Sequence, residues 1–384
     1  MPLLLRALHR LPTLRKPQRS FFYAFLLSLT SFFGRATRSQ LARNGAPSPR
    51  TQARWELKPF DWVGLSLTSL QLESILSHPL AFVIDASFLP KSGRHTDHLG
   101  HFWNGTASRI ERGLEMSTLG LVDLQEETAY ALDTRLSRPA TGEKPACVVA
   151  QAQLTDVRKR LPEVKHLLVD GGYTSRAFVD AVRALSLHVV GKMRKDAALR
   201  YLAPPPTVRR PGRPRKYAGK VKVNALEGGQ EVRLAEGAQG WTEVVWSDGL
   251  HQKIRVVVVK TKKDGAVILY STDIELAAAE LVRMYRLRFQ IEFVFRDAKQ
   301  HTGLGQGQMR GQKGQEFHLN GSMTACNLLR LEVRRKEVSV GDRKKERYNE
   351  KVIQQVLSLL DLDPERPDIQ AALQKARSYG TLAA

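Results

Sequence analysis

The chain has 384 residues, 42% of them hydrophobic, which allows a substantial core and excludes wholesale disorder. Its 60 lysines and arginines outnumber its 38 aspartates and glutamates, which gives a formal net charge of +22. Basic residues recur along the whole length, so the sequence predicts a polyanionic partner, with nucleic acid as the first candidate. Cys147 and Cys326 are too few for a disulfide framework, which favours a reducing environment.

The first 75 residues are predicted to form a helical region. Its most apolar stretch, FFYAFLLSLTSFF, is too short to span a bilayer and is followed by no cleavage motif, so we interpret it as a buried helix. Two short helices follow, over ATRSQLAR and SPRTQARW, with Ser48 as N-cap of the second. They form either a helix-turn-helix that contacts a major groove through Arg50, Gln52 and Arg54, or a small bundle that covers the next domain.

From residue 81 onward the patterning is typical of strands alternating with helices. Three strands, AFVIDASF, LEMSTLGLVDL and TAYALDTRLS, precede a helix, the strand HLLVD, a second helix and the strand LHVVGKMR. This order predicts an α/β fold with a ribonuclease H-like mixed sheet. Asp85 ends the apolar part of the first, central strand and Asp170 ends the fourth. The order therefore predicts that the two carboxylates are neighbours at the rim of the sheet.

Residues 195–265 are basic and β-like, and we interpret them as a β-rich insertion before the last catalytic helix. A proline-rich connector, APPPTVRRPGRPRKY, carries Arg213 and Arg215. These two arginines form either the core of a segment that lies in the minor groove, as in an AT-hook, or a plain basic linker. Lys192 and Arg194, at the end of the preceding strand, are candidate phosphate contacts by position alone.

A helical region resumes after AVILYST and runs towards Gly303, as one long helix or as two in sequence. It contains four chemically active positions in the run YRLRFQIEFVFRDAK: Tyr285, Arg288, Glu292 and Lys299. In a continuous helix, at about 100° per residue, these four fall within a stripe roughly 60° wide and can address one substrate. The alternative is that Arg288 and Glu292 are an ordinary i,i+4 helix pair.

Together these residues resemble the DDE transposases, in particular insertion-sequence family four, whose members carry Tyr-x2-Arg-x3-Glu-x6-Lys around the third acidic residue. The resemblance covers roughly residues 80 to 330, through segments such as IDASFLPKSGRHT, VDGGYTS and FRDAKQHTGLGQGQMR. We expect a ribonuclease H-like catalytic domain over residues 76–194 and 266–335, interrupted by the insertion. A helical DNA-binding region over 1–75 would precede it, and a helical tail over 336–384 would follow.

The resemblance implies cut-and-paste DNA transposition, in which the enzyme cleaves the ends of an element and joins a freed 3′-hydroxyl to target DNA. The implied catalytic residues and metal ligands are Asp85, Asp170 and Glu292. They would hold two Mg²⁺ ions, with Mn²⁺ as a substitute, because carboxylates suit hard, octahedral ions. The implied partners are transposon ends and target DNA, with a homodimer in the synaptic complex and a cytoplasmic, nucleoid-associated location in a bacterium.

The resemblance also implies residues that hold the transposon end near the scissile bond, namely Tyr285, Arg288 and Lys299. In relatives that excise through a hairpin, a tryptophan of the β insertion stacks on a flipped base. Trp241 and Trp246 are the candidates here, with a place in the core as the alternative.

Two further functions remain open on the sequence alone. One is a DNA-binding protein that has lost catalysis and acts as an end-binding repressor, against which the presence of all three carboxylates counts. The other is a sequence-nonspecific nuclease of ribonuclease H type, which has no use for the β insertion or for a helix-turn-helix.

Overall fold

The computed structural model describes residues 2–139, 145–204, 215–221, 230–233, 239–261, 265–334 and 336–382. Within them, helices flank one twelve-stranded mixed sheet. The strands are β1 (Leu80–Pro90), β2 (Gly100–Asn104), β3 (Arg109–Asp123), β4 (Thr128–Leu136), β5 (His166–Leu168), β6 (His188–Met193), β7 (Leu199–Leu202), β8 (Tyr217–Lys220), β9 (Gln230–Arg233), β10 (Gln239–Ser247), β11 (Gln252–Thr261) and β12 (Gly265–Ser271). The helices are α1 (Pro2–Arg10), α2 (Lys16–Ser31), α3 (Arg38–Arg43), α4 (Pro49–Trp55), α5 (Trp62–Leu72), α6 (Pro145–Arg158), α7 (Arg176–Ala184), α8 (Ala278–Leu287), α9 (Gln290–His301), α10 (Gln312–Val333), α11 (Val340–Leu359) and α12 (Pro367–Arg377).

The strand order around β1 is the one expected for a ribonuclease H-like sheet. β1 pairs antiparallel with β3 and parallel with β5, and β6 follows β5. β4 pairs with the other edge of β3, so the order across the sheet is β4, β3, β1, β5, β6. The central position of β1, predicted from the sequence of elements, is confirmed. The hairpin strand β2 adds to the N-terminal end of β3.

The strands of the predicted insertion extend this same sheet. β12 pairs with β6, and β11, β10, β7 and β8 continue outward in that order, with β9 paired to β10. The connector that precedes β8 is described only from Arg215 onward, so Arg213 lies outside the described residues.

Two hydrophobic clusters cover the two faces of the sheet. Alternate residues of β1 belong to different clusters, with Phe82 and Ile84 in one and Ala81 and Val83 in the other. The first cluster includes apolar residues of α1, α2, α6 and α7, and the second includes those of α8 and α9. Because side chains alternate along a strand, Asp85 points to the side covered by α8 and α9, which we call the α9 face.

The apolar N-terminal stretch forms the buried helix α2, as predicted. Its phenylalanines pack on α10, with the rings of Phe25 and Phe317 centred 5.1 Å apart. Ser48 caps α4 by accepting a hydrogen bond from the backbone N–H of Thr51 (3.3 Å). In the predicted helix-turn-helix, Arg50 and Arg54 are exposed, whereas Gln52 is buried and donates to the backbone. Gln52 is therefore not available to contact a base.

The helical region that carries the four active positions consists of two helices. α8 ends at Leu287 and α9 begins at Gln290, and the backbone N–H of Glu292 donates to the carbonyl of Phe289 (3.0 Å), in a tighter i to i−3 turn. α8 packs on β6, β11 and β12, whereas α9 packs on β1, β3 and β4. Arg288 and Phe289, between the two helices, keep right-handed helical φ and ψ, so α9 follows α8 after one tightened turn.

None of the helices in the described ranges is long and apolar enough to cross a membrane.

Candidate active site

Asp85 lies midway along β1, and Asp170 lies two residues past the end of the neighbouring parallel strand β5. Val83 of β1 pairs with Leu168 of β5, so the two aspartates stand side by side two residues farther along each strand. Adjacent strands are about 4.8 Å apart, which brings the two side chains to the same rim. The Asp85 side chain is 18% exposed and accepts a hydrogen bond from the backbone N–H of Ala86 (2.9 Å), whereas Asp170 is exposed.

Glu292, in the first turn of α9, approaches the same rim, and Arg288 links it to Asp85. The Arg288 guanidinium lies 3.4 Å from Asp85 Oδ2 through Nη1 and 3.0 Å from Glu292 Oε1 through Nη2. Its side chain is only 12% exposed, and among the described residues its buried Nε has no hydrogen-bond partner. A buried cation with one unused donor therefore joins the first and third carboxylates.

The pKa shifts of Asp85 and Arg288 link all three carboxylates to one another. Burial raises the pKa of Asp85 to about 6, with Asp170 and Glu292 adding to the rise and Arg288 opposing it. Burial by itself lowers the pKa of Arg288, but the attraction of Asp85, Asp170 and Glu292 outweighs it and the net shift is upward. The three acids thus act on one guanidinium, although they are far apart in the sequence.

The donor set suits hard divalent ions. The candidate ligands are all carboxylate oxygens, which Mg²⁺ and Mn²⁺ prefer over the nitrogen and sulfur ligands favoured by zinc. Oxygens of Asp85, Asp170 and Glu292 do not all lie within 4.8 Å of one another. That spacing does not suit one ion held by all three.

Three more of the predicted residues lie beside this rim. Lys299 donates from Nζ to Ser87 Oγ (2.9 Å), two residues beyond Asp85 on β1. The ring of Tyr285 is centred 5.9 Å from the Arg288 guanidinium carbon, and burial raises the pKa of its phenol. Lys192 is exposed on β6, and the pairing of Leu168 with Val190 sets it beside Asp170.

The remaining predicted residues lie elsewhere. Arg194 forms an exposed ion pair with Asp196 (2.9 Å), and Arg215 is exposed at the connector. Trp241 and Trp246 are half-buried on β10, five strands from β1. The first lies under the Lys260 ammonium, 4.7 Å away, and the second packs on Tyr217, with ring centres 5.8 Å apart. At that distance across the sheet, the two tryptophans do not reach the rim at Asp85.

A groove of about 610 Å³ opens at this rim, and sequence reasoning missed several of its wall residues, Trp103 among them. Its walls include Asp85, Ser87, Trp103, Glu292, Arg296 and Lys299. Trp103 lies at the tip of the β2–β3 hairpin and is 60% exposed. The available signal was the dipeptide Asn104-Gly105, a strong hairpin turn pattern directly after the tryptophan.

A second groove, of about 650 Å³, follows the end of β1. Four cations contribute to its lining: Arg35, Lys91, Arg94 and Arg310. No carboxylate is among the described residues that line it. Because these cations come from three distant segments, sequence spacing gave no sign that they form one surface.

A different acidic cluster, His78, Asp123 and Glu126, brings three ligand atoms within 4.8 Å of one another. Its groups already have partners. His78 Nδ1 lies 2.7 Å from Asp123 Oδ2, and Arg334 contacts both carboxylate oxygens of Glu126. We interpret this cluster as an anchor between the end of β3 and the end of α10.

The strand order and the acidic rim are typical of nucleases with a ribonuclease H-like fold. A family model described as DDE superfamily endonuclease matches residues 10–253, and one described as Archaeal putative transposase ISC1217 matches residues 216–330. The first match spans well over half of the 384 residues, so the chain belongs to the DDE superfamily endonucleases. No curated protein matches the chain.

The second match, over residues 216–330, includes the helices that carry Arg288 and Glu292. The two matches together support transposase function with nuclease activity and, through it, binding to DNA. DDE nucleases generally use divalent metal ions.

Proposed function

We propose that this protein is a cut-and-paste transposase of the insertion-sequence family four type. It would cleave the ends of its element and transfer the freed 3′-hydroxyl to target DNA, with two Mg²⁺ ions or with Mn²⁺ in their place. The observation that carries the proposal is the placement of Asp85 beside Asp170 on neighbouring parallel strands, with the Arg288 guanidinium joining Asp85 to Glu292.

In this proposal Asp85, Asp170 and Glu292 would hold the ions. When bound, the ions supply activation of the attacking water or hydroxyl and stabilisation of the leaving oxygen. Arg288 balances the carboxylate charge in their absence and contributes its unpartnered Nε–H to a phosphate oxygen when DNA is present. Lys299, Lys192 and Tyr285 surround this point as further phosphate contacts.

The second groove, with its four cations, supports a path for the DNA that runs from Asp85 along the end of β1. Pro90 lies five positions beyond Asp85 on β1, about 17 Å along the strand. Lys91, at the start of the cationic lining, follows Pro90 directly. Duplex beside the cleaved bond would place phosphates along Arg35, Arg94 and Arg310. A second copy of the chain, holding the other end of the element, would complete the synaptic complex.

The test is cleavage of DNA that carries the element's ends, with Mg²⁺, by the wild type, Asp85→Asn and the control Asp180→Asn. Asp180 is exposed on α7 and pairs only with Arg176 among the described residues, so its variant should cleave like the wild type. We expect nicked DNA followed by hairpin or double-strand-cut DNA from the wild type and none from Asp85→Asn. Equal cleavage by Asp85→Asn would refute the proposed chemistry.

The same assay separates the two alternatives. End binding without cleavage by the wild type would identify a repressor that has lost catalysis. Equal cleavage of DNA that lacks the ends would identify a sequence-nonspecific nuclease. Affinity should also fall by orders of magnitude between about 50 and 200 mM salt, because each phosphate contact releases counterions.

A further inference from the structure

The tip of the β2–β3 hairpin presents two large apolar side chains to solvent. Trp103 is 60% exposed and Ile110 is 66% exposed, and the two are cross-strand partners. Directly paired residues of an antiparallel hairpin project to the same side, so these two side chains form one apolar patch. Exposed tryptophan is uncommon because burial of its ring is strongly favourable.

The register of the sheet places this patch on the α9 face. Asp85 pairs with Thr118 of β3, and Trp103 pairs with Ile110 of the same strand. Thr118 and Ile110 are eight residues apart, an even number, so their side chains project to one side. Trp103 and Asp85 therefore belong to one surface, in agreement with their shared place in the lining of the groove.

The hairpin tip is held in place by its own hydrogen bonds. The Asn104 side chain accepts two backbone N–H bonds from the turn, of 3.1 and 3.4 Å, and donates to Glu111 (2.6 Å). Arg109 donates to the other Glu111 oxygen (2.7 Å), and Phe102 is buried on the opposite side of β2. Trp103 thus projects from a backbone fixed on both sides of it.

We propose that Trp103 stacks on a nucleobase of the DNA strand held in the catalytic groove, and this inference rests on the proposed transposase function. Lys299 and Arg296 line the same groove and supply positive charge for phosphates. The indole supplies what those cations do not, an apolar face for a base ring. The base must be unpaired or turned out of the helix, because bases inside a duplex have both faces covered.

The geometry also limits which base this is. Eight residues of β3 span at most about 26 Å, and one strand of duplex DNA advances about 3.4 Å per nucleotide. The base contacted by Trp103 therefore lies within about eight nucleotides of the phosphodiester at Asp85.

The test is a thermodynamic cycle between the tryptophan and single bases of the DNA. DNA end affinities would be measured by fluorescence anisotropy for wild type, Trp103→Ala, Trp103→Phe and the control Val148→Ala. Val148 is a 50% exposed apolar residue of α6, which is not among the groove residues. Each protein would be titrated with intact DNA and with DNAs that carry one abasic site at each of the eight positions.

We expect Trp103→Ala to lose about 5- to 150-fold in affinity for intact DNA, Trp103→Phe to lose much less, and Val148→Ala to match the wild type. At one position the abasic site should weaken the wild type but leave Trp103→Ala unaffected, which marks the stacked base. Thermal melting would check that the variants fold, as expected for an exposed position.

Affinity of Trp103→Ala equal to that of the wild type for all eight DNAs would overturn the stacking proposal. A change in self-association with unchanged DNA affinity would also overturn it and would assign the patch to a contact between protein copies. These outcomes are distinct from failure of the proposed function, which appears as absence of Mg²⁺-dependent cleavage by the wild type whatever the binding cycle shows.

Discussion

Two of the acidic clusters in the described part of the chain, around Asp123 and around Asp85, each contain an arginine and differ in how completely their hydrogen-bonding groups have partners. Both carboxylate oxygens of Asp123 have close partners. One of its oxygens meets His78 and the other accepts the backbone N–H groups of Gln125 and Glu126 (2.9 and 3.1 Å). Arg334 contacts both oxygens of Glu126, which completes the network.

Around Asp85 the network is incomplete. The contact from Arg288 to Asp85 is 3.4 Å long, and the buried Nε of that arginine has no partner. Asp170 makes no side-chain hydrogen bond or ion pair to any described residue. The ligand atoms therefore lie close together in the cluster around Asp123, which we interpret as structural. The groups that have no hydrogen-bond partner among the described residues lie instead in the candidate active site around Asp85. Buried polar groups without partners destabilise a fold, so such a site is retained for function.

The largest predicted contrast is in catalysis. Asp85→Asn should lower Mg²⁺-dependent end cleavage by at least about a thousandfold, since loss of an ion removes several kcal/mol of transition-state stabilisation. Asp123→Asn should cleave within a few-fold of the wild type once corrected for its folded fraction. Single-turnover cleavage of the same DNA end measures both. A thousandfold loss of cleavage in Asp123→Asn would show that the proposed assignment of catalysis to the cluster around Asp85 is wrong.

The second contrast is in stability without metal. Arg334→Met removes the cation that contacts both oxygens of the half-buried Glu126 carboxylate, which should lower the free energy of unfolding by about 1–3 kcal/mol. Arg288→Met should cost less than half as much, because Arg288 makes a long bond and leaves one donor unused. Urea unfolding with a chelator present measures both values. Equal losses would show that the two arginines have the same structural role.

The sequence predicted the parts of this site that depend on strand order. Asp85 and Asp170 each follow an apolar run, and a ribonuclease H-like order leaves little freedom in how those strands pair. Arg288 and Glu292 were predicted as a unit because four residues separate them. Helix geometry is local, so that contact survives the break between α8 and α9.

The parts that the sequence did not predict depend on long-range register. Trp103 reaches the catalytic face only because β2 and β1 pair with the same strand β3, which no local pattern specifies. Trp241 and Trp246 were proposed from their place in the β insertion. Four strands lie between β10, which carries them, and β1. Their contact with DNA stays a prediction, and it would require the duplex to cross the sheet.

A smaller difference between the two clusters is expected in how much Mg²⁺ stabilises the folded protein. An ion that binds only the folded state stabilises it by about 1.4 kcal/mol at ten times its dissociation constant. Mg²⁺ should therefore raise the melting temperature of the wild type and of Asp123→Asn, but not that of Asp85→Asn. Differential scanning fluorimetry with a Mg²⁺ series, reversed by chelator, measures this. A shift that disappears in Asp123→Asn and persists in Asp85→Asn would move the metal site to the other cluster.

The smallest effect concerns Lys299, which we propose contacts one phosphate. Its ammonium donates to Ser87 Oγ, two residues from Asp85, so a phosphate bound at the rim would lie within its reach. Lys299→Met should weaken DNA binding uniformly across sequences and reduce the slope of log affinity against log salt by about 1. Lys375→Met, on α12, is the matched control and should leave the slope unchanged. Equal slopes of log affinity against log salt for Lys299→Met and the wild type would mean that the ammonium supports β1 through Ser87 and does not contact the DNA backbone.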